Sequence, residues 1–443
     1  MDTVSKELFQ QLIHHEKNGI RTVDRRIFVD EELFELERKN IWLKVWVFVA
    51  HESQIPNPRD YLTTWIERTP IVITRNKEGK LHAFVNICSH RGSTLVRMSK
   101  GKATNFACPF HGWVFDAKGK LLDVVKKDIG GYPASFDTCG RDLVPVRLES
   151  YRGFLFATLN PHAEPLEDYL AESKTFIDLI VDQSPQGIEV LKGKSTYTFN
   201  GNWKMQAENG VDGYHVDTTH ANYVMVYQNR AKINAEKGLK VLAAGQITSV
   251  PNSGFFHLGN GHTVIWWDKA NAADQPIYAH RQELAVRHGE AKAKWMTERG
   301  RNLLIYPNVL LMDQMSTQIR VFRPLAVDKT EVTIYCFAPV GEPPEERAKR
   351  IRQYEDFFNV SGMATPDDLM EFNESQVGSK SYDVMRWSDL SRGSTHEVEG
   401  PNEEAEQLGI KPRRSGAHVA DEGIFLAQHE RWLELMSAGE GDK

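Results

Sequence analysis

The 443-residue chain carries 54 Lys and Arg against 60 Asp and Glu, a net charge of −6, with 41% apolar and 26% charged residues. That balance belongs to a globular protein with enough apolar residues for a sizeable core in two or three folding units, and it excludes a disordered chain. Four cysteines exclude a disulfide scaffold, and no apolar run approaches the roughly 18 residues of a membrane span.

Residues 1–42 read as a helical segment packing on the larger C-terminal domain. Asp30 is placed to cap a helix in which Leu33, Phe34, Leu36, Ile41 and Trp42 recur at roughly helical spacing. The start lacks the basic-then-apolar order of a signal peptide, so a cytoplasmic, reducing compartment is expected, and no basic block points to nucleic acid. From Tyr61 to Leu159 the texture changes to short runs of Val, Ile, Thr and Phe between turn residues. Ile71–Arg75 and Leu81–Val85 flank Asn76–Gly79 as a hairpin, and Phe115–Gly119 marks another, which predicts a small β domain over 43–160.

Beyond it, over 161–443, Leu166–Val181 reads as a helix and Gln318–Val340 as two long strands around Val327–Thr330. A further helix puts Ile351, Tyr354 and Phe358 on one face, and the polar C-terminal stretch keeps Ile424, Phe425, Trp432 and Leu433 as anchors for wrapping on the surface. The predicted class is α+β: a small all-β domain attached to a larger domain with an antiparallel sheet flanked by helices.

Two of the four cysteines each lie beside a histidine, in Cys88-Ser-His90 and Cys108-Pro-Phe-His111. A tetrahedral zinc would accept two cysteines and two histidines, but its usual arms pair like with like. One cysteine and one histidine per arm suits a [2Fe–2S] cluster with both thiolates on one iron and both imidazoles on the other, the Rieske arrangement, which serves as a one-electron relay.

A second set lies in Glu208-Asn-Gly-Val-Asp212-Gly-Tyr-His215-Val-Asp-Thr-Thr-His220. Five residues at about 100° each leave the two rings about 140° apart on a straight helix. Convergence on one metal therefore predicts a local widening such as a π-type turn. Asp212, three residues before His215, shares its face.

Together the two sets resemble the α (large) subunit of Rieske non-haem iron ring-hydroxylating oxygenases. Ala50–Pro56, Ser150–Phe156, Val181–Pro185, Gly201–Lys204 and Ile351–Phe358 look like the benzoate/toluate and anthranilate dioxygenase branch. The resemblance implies cluster ligands Cys88, His90, Cys108 and His111, and a mononuclear Fe(II) held by His215, His220 and a downstream carboxylate. In Gly362-Met-Ala-Thr-Pro-Asp367-Asp368, the second acid occupies the ligand position. Thr365 reads as a helix cap with Asp367 serving the helix dipole, and Asp367, Asp217 and Glu208 are the other candidates for the iron.

Asp212 matches the family's bridging aspartate, which orients a metal-bound histidine and reaches a cluster histidine of the neighbouring chain in a head-to-tail trimer. No dinucleotide fingerprint and no ferredoxin-type cysteine run is present, so electrons from NADH are expected through a separate reductase. A small β subunit, giving α3β3, is carried over from the branch. The implied reaction uses O2 to cis-dihydroxylate the ring of an aromatic carboxylic acid. The alternatives are a salicylate-type ring monooxygenase giving a catechol and, more remotely, a Rieske electron carrier without oxygenase activity. His262, Trp266 and Trp267, on an expected strand, are candidates for a substrate pocket, Cys336 for a buried strand position and Cys139 for a loop thiol.

Overall fold

The computed structural model describes residues 9–15, 18–238, 252–313 and 317–438. The chain divides into two compact units, one of Trp42–Leu166 and one of Met1–Ile41 with Glu167–Lys443. No described helix is long and apolar enough to cross a membrane.

The smaller unit is built of antiparallel strands. Leu81–Val85, Thr69–Arg75, Asp60–Ile66 and Lys100–Lys102 form one sheet, and the hairpin between the first two turns at Asn76–Lys80, as the turn residues predict. Two three-stranded sheets complete it: Asn105–Ala107, Val114–Asp116 and Leu121–Asp123, and Val47–His51 with Arg147–Tyr151 and Phe154–Thr158. Its core gathers Val72, Phe84, Leu95, Phe106, Trp113 and Phe115 around the side chains of Cys88 and Cys108.

In the larger unit a ten-stranded antiparallel sheet runs from Ile188–Val190 through Lys329–Pro339, Thr317–Ala326, Val309–Asp313, Arg299–Ile305, His262–Asp268 and Ser253–Gly259 to the short strands Arg414–Gly416 and Val398–Glu399, with Ser195–Phe199 also paired to Lys329–Pro339. The central strands Arg299–Ile305 and Val309–Asp313 are buried at every position, so both faces are covered. On Lys329–Pro339 burial alternates, with Thr330, Val332, Ile334 and Cys336 turned inward, as its β-branched pattern predicts.

Several expectations are corrected. Among the described residues the N-terminal stretch is helical over Arg25–Phe28, Glu31–Glu37, capped by Asp30, and Arg38–Trp42; before them, Ile13–His15 and Arg21–Asp24 form a sheet with Trp387–Asp389. Leu166–Val181 is two helices, Leu166–Leu170 and Ser173–Val181, because Ala171 adopts a left-handed φ of 47°. The C-terminal helix Ile424–Ser437 does not wrap on the surface: Ile424, Phe425, Leu426, Trp432 and Met436 are core residues. Its polar surroundings hide an apolar stripe of helical period.

That helix, the N-terminal helix and the helix Trp203–Asn209 meet on one buried carboxylate. Glu37 accepts hydrogen bonds from Lys204 Nζ at 2.5 Å, Trp203 Nε1 at 2.8 Å and Trp432 Nε1 at 2.7 Å. Burial disfavours the Lys204 ammonium and Glu37 restores it, while the net effect still lowers its pKa. Glu37→Ala strands a buried cation and two indole N–H groups, so it is expected to destabilise the larger unit by about 3–5 kcal/mol. Denaturant unfolding of the variant against the parent checks this; a loss below about 1 kcal/mol, the range of an exposed ion pair, contradicts it.

Candidate active site

In the smaller unit the sequence repeats one turn twice. Gly92 N–H donates to the Cys88 carbonyl at 3.0 Å and Gly112 N–H to that of Cys108 at 2.9 Å. Both glycines have left-handed φ, 73° and 74°, which a side chain would resist. The two thiols are unoxidised, buried and close enough to hydrogen-bond, and burial with the neighbouring sulfur pushes the Cys88 thiol up. The imidazoles of His90 and His111 lie 4.7 Å apart toward solvent, with His90 stacked on Trp113. His90 Nδ1 is buried without a hydrogen-bond partner. Two adjacent thiols inside, two adjacent imidazoles outside and an orphaned ring nitrogen form a donor set that fits a bridged two-iron cluster with one ligand type on each iron.

In the larger unit the helix Trp203–Asn209 starts at Asn202, whose side chain accepts from Lys204 N–H at 3.1 Å. The chain then turns through Gly210–Tyr214. A Cβ on Gly213 would lie 2.5 Å from the Val419 carbonyl oxygen, so only glycine fits that approach. A short helix, Val216–Thr219, follows. His220 itself breaks the path, at φ −98° and ψ 21°, before Ala221–Glu236 begins. The predicted π-type turn is therefore absent: the two histidines flank one short helix, His215 before it and His220 at the break after it, with ring centroids 5.2 Å apart.

Asp368 meets them from the first turn of the helix Thr365–Ser379. Its Oδ1 lies 3.5 Å from His215 Nε2 and 3.3 Å from His220 Nε2, and accepts from Asn209 Nδ2 at 3.2 Å. Ligand atoms of His215, His220 and Asp368 all fall within 4.8 Å of one another, a spacing that fits a metal ion bound on one face. Burial would raise the Asp368 carboxyl, but the hydrogen bond from His220 and the charges of both histidines and Arg320 outweigh it and hold the group below the ordinary carboxylate range.

The outer ring nitrogens follow the same logic. Asp212 Oδ2 lies 3.1 Å from His215 Nδ1, and Asp367 Oδ2 lies 3.5 Å from His220 Nδ1. Asp212 reaches its histidine across a turn rather than along a helical face, its other oxygen accepting from Tyr214 N–H at 2.6 Å. Thr365 is not the cap. It lies inside the helix, preceded by Ala364, and its hydroxyl donates to the Phe358 carbonyl. Glu208 pairs with His429 instead, at 2.9 Å.

A cavity opens on the two histidines and Asp368. Trp267 lines it, together with Ile265, Met312, Phe357 and Phe358. His262 does not: it is fully buried, bonded to the Tyr169 carbonyl at 2.8 Å and the Tyr306 N–H at 3.0 Å, with burial pushing its pKa down to about 3. Trp266 packs over the Arg299 guanidinium instead. Sequence reading missed Asn209, Asn302 and Arg320, which also line the cavity. Their signal is long-range, since strand register and a helix end bring them there.

Residues 45–147 match the Rieske [2Fe-2S] domain model, and residues 189–437 match the model of the ring hydroxylating alpha subunit (catalytic domain). The chain is 49% identical to toluate 1,2-dioxygenase subunit alpha of Pseudomonas putida, over 97% of this chain and 94% of that protein. It is 46% identical to the anthranilate 1,2-dioxygenase large subunit of Acinetobacter baylyi, over 95% and 91%. The crystal structure of naphthalene 1,2-dioxygenase from Rhodococcus sp. bound to indole shares the fold, with a TM-score of 0.84 at 24% identity over 99% of both chains. With two matched models spanning most of its length and near-full-length relatives at almost half identity, the chain belongs to the ring-hydroxylating dioxygenase α-subunit family and carries its Rieske [2Fe–2S] domain and mononuclear iron domain.

Proposed function

We propose that this chain is the terminal oxygenase α subunit of an enzyme that cis-dihydroxylates the ring of an aromatic carboxylic acid. The observation that carries the reading is a buried cluster of two imidazoles and one carboxylate facing a cavity lined in part by Ile265, Trp267, Met312, Phe357 and Phe358. Toluate and anthranilate, the substrates named for the two relatives, are both ring carboxylates.

In this reading His215, His220 and Asp368 hold the mononuclear iron, Cys88 and Cys108 one iron of the cluster, and His90 and His111 the other. When bound, the mononuclear iron supplies an O2-binding centre with open positions, and the cluster supplies single electrons. The residues of the chain do the rest. Asp212 and Asp367 lie beside the Nδ1 atoms of His215 and His220, placed to orient each ring with Nε2 turned to the metal position. Trp267, Phe357 and Phe358 exclude water and clamp a flat ring. Asp212 also serves as the link to a cluster histidine of a neighbouring chain in a head-to-tail trimer, with a small β subunit and an NADH-dependent reductase as partners.

The direct test supplies purified protein and its reductase with NADH, labelled O2 and benzoate, anthranilate or salicylate. The expected product from benzoate is a cis-diol carrying both atoms of one O2 molecule. A single labelled oxygen in a catechol identifies a monooxygenase, and no product from any of the three overturns the reading.

Asp368→Ala is expected to empty the mononuclear site with the Rieske spectrum intact. Asp367→Ala is expected to keep the iron but weaken its affinity by about 10–100-fold, the usual effect of losing an outer partner of a ligating histidine. Iron titration of the two variants checks the order. Emptying of the site by Asp367→Ala alone reverses the assignment.

Asp212→Asn keeps nearly the same shape but loses the charge that holds the His215 proton. Iron content, substrate affinity and reduction of the cluster by the reductase are expected to stay normal, while product formed in a single turnover slows at least 10–100-fold. Turnover within threefold of the parent removes Asp212 from the electron path.

A further inference from the structure

Arg320 sits mid-strand on Thr317–Ala326, opposite Leu310 and Ile334, with 1% of its surface exposed. Other buried arginines of the larger unit show how this fold treats a guanidinium. Arg299 pairs with Asp268 at 3.0 Å and Glu404 at 2.7 Å, Arg301 with Asp313, and Arg350 with Glu342 at 2.5 Å. Arg320 differs. Among the described residues no carboxylate forms an ion pair with it, and its Nε and Nη2 are both buried without a hydrogen-bond partner. These two nitrogens form one edge of the guanidinium, the edge whose spacing matches the two oxygens of a carboxylate.

The side chain lines the same cavity as His215, His220 and Asp368, with its guanidinium 5.5 Å from the Phe358 ring. A buried guanidinium stays charged, and leaving it unpaired costs several kcal/mol. Proteins retain such a group where something else pairs with it. The two acids of the cavity lining are committed elsewhere: Asp368 faces both histidines and Asn209, and Asp212 faces His215 and the Tyr214 N–H. Phe358 lies against the cation, and Ile265, Met312 and Phe357 form part of the same lining; such apolar surroundings strengthen any ion pair formed there.

We propose that Arg320 is the residue that binds the substrate's carboxylate, gripping it side-on through Nε and Nη2 and so fixing which ring carbons face the metal position. This rests on the reading of the chain as an oxygenase of ring carboxylates and names the residue that selects them. The selected class is a flat arene bearing a directly attached carboxylate. Neutral arenes of the same shape leave the guanidinium unpaired and are rejected for that reason.

The test measures binding to the iron-loaded protein by calorimetry, with benzoate and its neutral isostere nitrobenzene as probes. The parent is expected to prefer benzoate by about 100-fold, in line with the cost of stranding one partner of a buried charge pair. Arg320→Met, of similar length and apolar, is expected to lose that preference with iron content unchanged, and Arg320→Lys to recover only part of it because a point charge replaces a fork. Benzoate affinity within threefold of the parent in Arg320→Met overturns the inference while leaving the oxygenase reading in place. Should Arg320→Met fail to fold, a parent preference for benzoate below threefold, or full preference retained in Arg320→Lys, overturns it equally. Failure of the parent to bind benzoate, anthranilate or salicylate at all removes the oxygenase reading itself, and the inference with it.

Discussion

Asp368 brings a carboxylate, 5% exposed, to the head of a helix and sets it against two imidazoles from a stretch of chain about 150 residues earlier. A carboxyl in that position would ordinarily take up a proton. Here Asn209, the two histidines and the field of Arg320 favour the ionised form. Much of the local architecture of the larger unit serves that meeting. Asn202 starts the helix that ends at Asn209, Gly213 lets the turn pass against the Val419 carbonyl, and the break at His220 swings the second ring toward the first. The anchor beneath is Glu37, which ties Trp203 and Lys204 of that same helix to Trp432 near the C-terminus.

Charge is sorted around this centre by position. Carboxylates outside the ring pair lie beside the Nδ1 atoms, Asp212 at one histidine and Asp367 at the other, and Asp368 lies beside both Nε2 atoms. Arg320, which has no carboxylate ion pair among the described residues, lines the cavity. The smaller unit sorts by polarity instead. Its two cysteines are part of the apolar core and its two histidines lie at the rim, so a cluster held there keeps its sulfur-ligated side dry and its imidazole side near water. Burial on one side and exposure on the other are conditions that tune a cluster's potential.

What could be read from the chain follows the range of each signal. The hairpin around Asn76–Lys80, the strand pair Thr317–Pro339, the Asp30 cap and the two Cys/His arms rest on spacings of a few residues, and all are present where the sequence places them. His215, His220 and Asp368 are brought together, although the path between the histidines differs from the expected widened helix. An α-helix can stop and restart for one residue, and His220 carries no propensity signal for that. The division of Leu166–Val181 at Ala171 is similarly silent, because alanine favours helix and only tertiary packing forces its φ positive. The apolar stripe of Ile424–Ser437 was masked by its polar flanks. Arg320 was beyond reach for a different reason: strand register chooses which of 54 basic residues faces the cavity, and register is set by partners far away in the chain.

The central claim is that one chain holds two distinct iron centres, on the residues named. Anomalous diffraction at the iron absorption edge, from crystals of the purified protein, tests it most directly. A two-iron peak bounded by Cys88, Cys108, His90 and His111 is expected, with a separate single-iron peak bounded by His215, His220 and Asp368. Zinc in place of iron at the four-residue site, or an iron peak that leaves Asp368 out of contact, would contradict it.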